Sequence, residues 1–211
     1  MAEGCRVVRL LGIGGIGKST IAAKSALGMQ AEFEIVMWRS LSNAPPLEEL
    51  LSSLLKFLMP IQGEAPVIPA TLDEKLILID EYLRSQRCLL ILDNAETILH
   101  SKQAGQWRSG YEAYGQWLRM MGETPHQSCC LLTSCDNPQE IAILEGERSM
   151  VRSLPLSGLT PDDERGIFRQ RGICMGSETE WQNLVHHYGG NPLALKMVAA
   201  ATQDLFKMEQ S

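Results

Sequence analysis

In the stretch GIGGIGKST, Gly12, Gly17, Lys18 and Ser19 occupy the four defined places of G-x-x-x-x-G-K-[ST]. Glycines here let backbone N–H groups turn inward without Cβ obstruction. A helix starting at Lys18 adds the positive end of its dipole. That combination suits phosphate. The cradle predicted from it is Gly12, Gly14, Gly15, Ile16, Gly17, Lys18, Ser19 and Thr20. In this reading Lys18 reaches the β- and γ-phosphates, Ser19 offers a hydroxyl to Mg²⁺, and Thr20 sits one residue further in, near the α-phosphate.

A working site of this kind needs a carboxylate on the metal side, at the end of a strand. CLLILDNAE supplies one: an apolar run and then Asp93, at the carboxyl edge where open α/β sheets bind ligands. Ser19 and Asp93 are therefore the predicted Mg²⁺ pair. Hydrolysis further requires a group that orients water. Asn94 does not titrate; Glu96 does, and it reads either as that base or as a first-turn helix residue. Lys18, Asp93 and Glu96 are the candidate catalytic set.

Other chemistries find less support. The 211 residues carry a net charge of −6, and the 19 Lys and Arg are dispersed. A duplex-binding surface clusters them, so no direct nucleic-acid contact is expected. No run approaches the roughly 18 apolar residues of a membrane span. Six scattered cysteines form no C-x-x-C pair, which fits free thiols in a reducing, cytoplasmic setting.

The elements that must position the loop and Asp93 are legible as alternation. Five short apolar runs read as strands buried on both faces: Arg6–Leu11, Phe33–Trp38, Cys88–Leu92, Ser128–Thr133 and Met150–Leu156. Helical patterns lie between them at Lys18–Leu27, Pro46–Leu58, Thr71–Gln86, Tyr111–Met121 and Pro138–Leu144. Thr71 with Glu74 forms the signature of a capping box, and Met59–Ala70 reads as a Pro-bearing loop. Strands alternating with helices predict an α/β fold with a parallel sheet. After Leu156 the strands stop, and Thr160–Gly172, Glu178–Gly190 and Asn191–Thr202 are helical in turn. The expected division is a nucleotide-binding domain over 1–157 and a small helical subdomain over 158–211.

Taken together, VVRLLGIGGIGKST, MWRSLS, LLILDNAE, LLTSC, LPLSGLTPDDERGIF and GGNPLALKMVA resemble the NB-ARC domain of the STAND class of signalling P-loop ATPases. The resemblance runs over nearly the whole chain. It implies a five-stranded sheet of order 2-3-1-4-5, a preference for adenine nucleotides and tightly held ADP at rest. A G-x-P-L-A motif closing over the nucleotide maps onto Gly190, Pro192, Leu193 and Ala194, with Pro192 near the adenine or ribose. Pro192 also reads simply as the first residue of a helix.

Two positions depart from the family pattern. Asn94 stands where a second acid often follows the metal Asp, and Cys135 where strand four usually ends in an Arg that senses the γ-phosphate. Thr133 is the remaining polar candidate there. The winged-helix subdomain and repeat arrays that continue family members have no counterpart within the 211 residues. His186 and His187, on the pattern EWQNLVHHY, read as surface or packing residues rather than as the winged-helix sensor.

Three functions follow as expectations. The first is an ADP/ATP-binding switch with slow or impaired Mg²⁺-dependent ATP hydrolysis, acting on protein partners or by self-association. The second is a degenerate scaffold that holds ADP without turnover. The third is a kinase or phosphotransferase, for which Arg108 and Arg119 are the only arginines in the expected lid region Ser101–Met121.

Overall fold

The computed structural model describes residues 4–59, 67–146, 149–173 and 176–209. The chain divides into two compact units. One comprises the residues up to Leu11 together with Ser19–Leu154; the other joins Gly12–Lys18 to Pro155 and the residues after it.

The first unit holds the sheet. Its strands are β1 (Val7–Leu11), β2 (Ile35–Ser40), β3 (Cys88–Asp93), β4 (Cys129–Ser134) and β5 (Val151–Pro155). The β2–β3, β3–β4 and β1–β4 pairs are parallel, as the unbroken apolar runs predict. The order across the sheet is β2-β3-β4-β1-β5, which corrects the expected 2-3-1-4-5: β1 and β4 exchange places. Burial explains the exchange. The whole of β4 is buried, which suits the centre. Arg9, in the middle of β1, is itself fully buried and must have β5 beside it. Its guanidinium donates to Ser153 on β5, to Asn137 and to Glu145, the last an ion pair at 2.8 Å.

Helices α1 (Lys18–Met29), α2 (Leu47–Leu58), α3 (Leu72–Ser85), α4 (Glu112–Glu123) and α5 (Gln139–Leu144) connect the strands. In α2, Leu47, Leu50, Leu51, Leu54, Leu55 and Leu58 are buried, the stripe that a 3.6-residue period lays along one face. They join Tyr114, Trp117, Leu118 and Met121 of α4 in one core with the strand leucines. The capping box at Thr71 forms as its spacing predicts. Most of the loop expected over Met59–Ala70 lies outside the described residues. The described cysteines, Cys5, Cys88, Cys129, Cys130 and Cys135, are free thiols.

The second unit carries α6 (Pro161–Arg169), α7 (Glu178–Tyr188) and α8 (Pro192–Glu209). Thr160 and Ser177 cap α6 and α7. Phe168, Ile173, Leu195 and Ala199 form a small core, with Trp181 edge-on to Phe168 at 5.0 Å. The aromatics of α7 are packing residues, and His186 and His187 are exposed, as read from the sequence.

Glu164 is an exception in this unit. It is fully buried, and neither carboxylate oxygen has a hydrogen-bond partner among the described residues. Burial pushes its carboxyl above the usual range. Folding therefore favours the protonated acid, and stability falls as pH rises from the ordinary carboxylate range through the raised folded value. We expect Glu164→Met to raise stability at pH 7 by about 1 kcal/mol, the order of an unmatched buried polar group. The gain should shrink as pH falls below the usual carboxylate range, as urea unfolding at several pH values will read.

Candidate phosphate and metal site

Each half of the predicted site forms within its own unit. In the loop Gly12–Gly17, Ile16 donates its N–H to the Ile13 carbonyl at 3.3 Å, closing a turn around the buried Ile16 side chain. Lys18 is buried, and its ammonium donates to the carbonyls of Gly12 at 2.7 Å and Ile13 at 3.2 Å. The ammonium charge is thereby held at the glycine-rich loop.

The G-x-P-L-A stretch lies against the same loop, inside the same unit. Leu193 donates its N–H to the Gly15 carbonyl at 3.4 Å. Gly15 has φ +78°, and a Cβ there would sit 2.8 Å from the Leu193 Cβ. Only glycine fits. Pro192 is the first residue of α8, and Leu193 is exposed. Gly190 has φ +68° and packs on Gly158 and Leu159, whose N–H it receives at 2.9 Å.

The metal-side residues meet at the carboxyl ends of the strands. Parallel register sets Ser40 of β2 beside Asp93 of β3, and Leu10 of β1 beside Thr133 of β4. Asp93 Oδ1 accepts two hydroxyls: Ser19 at 2.8 Å and Thr133 at 2.5 Å. The Thr133 oxygen in turn accepts the Asn94 N–H at 2.9 Å. A serine hydroxyl and one carboxylate are hard oxygen donors. They match what Mg²⁺ takes from a protein when phosphates and water fill its other positions. Among the described residues no group of three or more His, Cys, Asp and Glu could hold a metal by itself.

Glu96 is the second residue of the short 3-10 turn Ala95–Ile98 that follows β3. Its Oε1 accepts the Cys135 thiol at 3.2 Å, while Oε2 is buried without a hydrogen-bond partner among the described residues. The position expected for a sensing Arg thus touches the candidate base through sulfur. Thr20, on the first turn of α1, is exposed. Arg108 donates to the Thr97 carbonyl and lies over the Tyr111 ring; Arg119 pairs with Glu123 one turn on.

Two features escaped the sequence reading. Asn191 caps α8 and reaches the loop, a cap that the Asn-Pro pair could have signalled. Asn94 adopts the left-handed conformation, φ 68°, with its amide on Ser42. That conformation costs an ordinary residue about 1–2 kcal/mol, less for Asn and least for Gly. Hence Asn94→Ala should lose about 1–2 kcal/mol of stability and Asn94→Gly markedly less, as measured by urea unfolding.

The NB-ARC domain pattern matches residues 1–151. An uncharacterized WD repeat-containing protein, alr2800, from Nostoc sp. is 45% identical over 213 residues. The match covers 97% of this chain and 17% of that protein, so the chain spans under a fifth of its relative. Cdc6p from Pyrobaculum aerophilum superposes with a TM-score of 0.60 at 17% identity, over 94% of this chain and 56% of that one. The Walker-type ATPase PABY2304 of Pyrococcus abyssi gives 0.56 at 15%, over 92% and 61%. At such identities the likeness is one of fold, that of P-loop NTPases. By its sequence the chain belongs to the NB-ARC family, and its fold is that of P-loop nucleotide-binding proteins.

Proposed function

We propose that this module is an adenine-nucleotide switch of the STAND type, holding ADP or ATP with Mg²⁺ and hydrolysing ATP slowly. The observation that carries the reading is the Ser19 hydroxyl on Asp93 Oδ1 at 2.8 Å, made by residues 74 apart in the chain. Two oxygens suited to one Mg²⁺ are already together, and Ser19 directly follows the loop lysine.

The assigned roles follow from residue chemistry. Gly12, Gly14, Gly15 and Gly17 offer backbone N–H groups to the phosphates, Ile16 joins them by releasing its N–H from the Ile13 carbonyl, and Lys18 gives up its two carbonyls for the β- and γ-oxygens. Ser19 and Asp93 hold the Mg²⁺, which when bound neutralises phosphate charge. Thr20 lies toward the α-phosphate, and Pro192 with Leu193 toward the base or ribose. Glu96 takes a proton from the attacking water as the terminal phosphate–oxygen bond breaks, leaving ADP and inorganic phosphate.

The proposed division is 1–157 for nucleotide binding and 158–211 for the small helical subdomain carrying the G-x-P-L-A motif. By analogy with the WD-repeat relative, the module serves a longer regulator whose repeats sense a signal. Its partners are then proteins, or further copies of itself, rather than nucleic acid, in keeping with a net charge of −6. Among the described residues no helix is long and apolar enough to cross a membrane, and a cytoplasmic site of action is proposed.

One observation favours the scaffold reading as the alternative. The Cys135 thiol occupies Glu96 Oε1, and a thiol brings no positive charge to a γ-phosphate. Nucleotide would then be held without turnover.

Two measurements test these readings: the first bears on nucleotide binding, which both share, and the second separates them. Nucleotide released by denaturing the freshly purified protein should be near-stoichiometric ADP. In Lys18→Ala it should fall at least about tenfold, the scale of a lost charge-assisted contact. Unchanged retention in that variant would sink the nucleotide reading. Steady-state ATPase activity should be slow and lost in Glu96→Gln; no turnover in the native protein leaves the scaffold.

A further inference from the structure

The side-chain amide of Asn191 joins two segments that lie 177 residues apart. Its Oδ1 accepts the N–H groups of Leu193 at 3.0 Å and Ala194 at 3.2 Å, capping α8. Its Nδ2 donates to the Gly14 carbonyl at 2.8 Å. These partners settle which way the amide faces. Turned over, it would set NH₂ against two donors and oxygen against a carbonyl.

Both bonds from this corner of α8 fall on loop carbonyls, Gly14 from Asn191 and Gly15 from Leu193. Phosphate is bound by the opposite groups, the loop N–H donors. In a trans peptide the C=O and the following N–H point in opposite directions across one rigid plane. Tying the Gly14 carbonyl to Asn191 therefore aims the Gly15 N–H away from Asn191. Gly15 takes part by what it lacks, since a Cβ there would lie 2.9 Å from Asn191 Oδ1.

We propose that Asn191 is a positioning residue of the phosphate loop. Its amide fixes the Gly14–Gly15 peptide plane, keeps the Gly15 N–H presented to phosphate, and prolongs the stay of a bound nucleoside diphosphate. The role is distinct from capping α8, because the cap uses the oxygen and the loop uses the nitrogen. The proposal rests on the nucleotide reading above.

The two roles come apart by substitution. Asn191→Ser keeps a neutral cap of comparable strength but has no NH₂ to reach Gly14. Asn191→Ala loses cap and donor together. The probe is N-methylanthraniloyl-ADP with Mg²⁺, displaced by excess ADP in a stopped-flow fluorimeter, with ligand-free thermal unfolding measured in parallel.

Asn191→Ser should release the probe about fivefold faster than the native protein, the scale of one neutral hydrogen bond, with a smaller loss of Tm than Asn191→Ala. Asn191→Ala should release it at least as fast and unfold earlier. Native release in Asn191→Ser, with only Asn191→Ala accelerated, reduces Asn191 to a helix cap and overturns the proposal. A Tm lowered equally in both variants overturns it as well. Native protein that does not retain the probe at all overturns the nucleotide reading itself, and the proposal with it.

Discussion

Asp93 Oδ1 accepts hydroxyls from two elements at once, Thr133 at the end of β4 and Ser19 on the first turn of α1. That convergence sets conditions on the sheet around it. β3 must lie next to β4, and the strands must end level, so that the carboxylate and the threonine meet within hydrogen-bonding distance. The parallel register provides this. Asn94 must then turn the chain sharply, and it does so in the left-handed conformation, its N–H held by the same threonine oxygen. One acidic oxygen thus ties strand order, register and turn geometry to the candidate metal site.

The phosphate loop is governed by a different constraint, close approach of backbone to backbone. Gly15 and the start of α8 leave no room for a side chain between them. Polar bonds then settle the loop's orientation: its carbonyls go to Lys18, Leu193 and Asn191. Loop amides are the natural partners of an anion, so engaging the carbonyls elsewhere is a form of preorganisation.

Much of this was legible in the residues. The elements fall close to their expected places because each apolar run suits one burial pattern, and Thr71 with Glu74 marks a helix start without reference to anything distant. The grouping of Ser19 with Asp93 also followed from type and context, since a strand-end carboxylate and a loop hydroxyl answer one chemical need. The sheet order was not legible, because β1 and β4 are both apolar and both fit an interior place. What separates them is the buried Arg9, whose partners Ser153, Asn137 and Glu145 lie more than a hundred residues away.

By itself, then, the sequence determined the α/β class, the glycine-rich loop between β1 and α1, the grouping of Ser19 with Asp93 and the helical run after Leu156. Each depends on neighbours within a turn or a strand, where periodicity and residue type act directly. Only the tertiary structure decided the strand order, the contact of Cys135 with Glu96, and the reach of Asn191 to Gly14. These are meetings of residues far apart in the chain. Which donor finds which acceptor depends on where whole elements pack, and no local propensity encodes that.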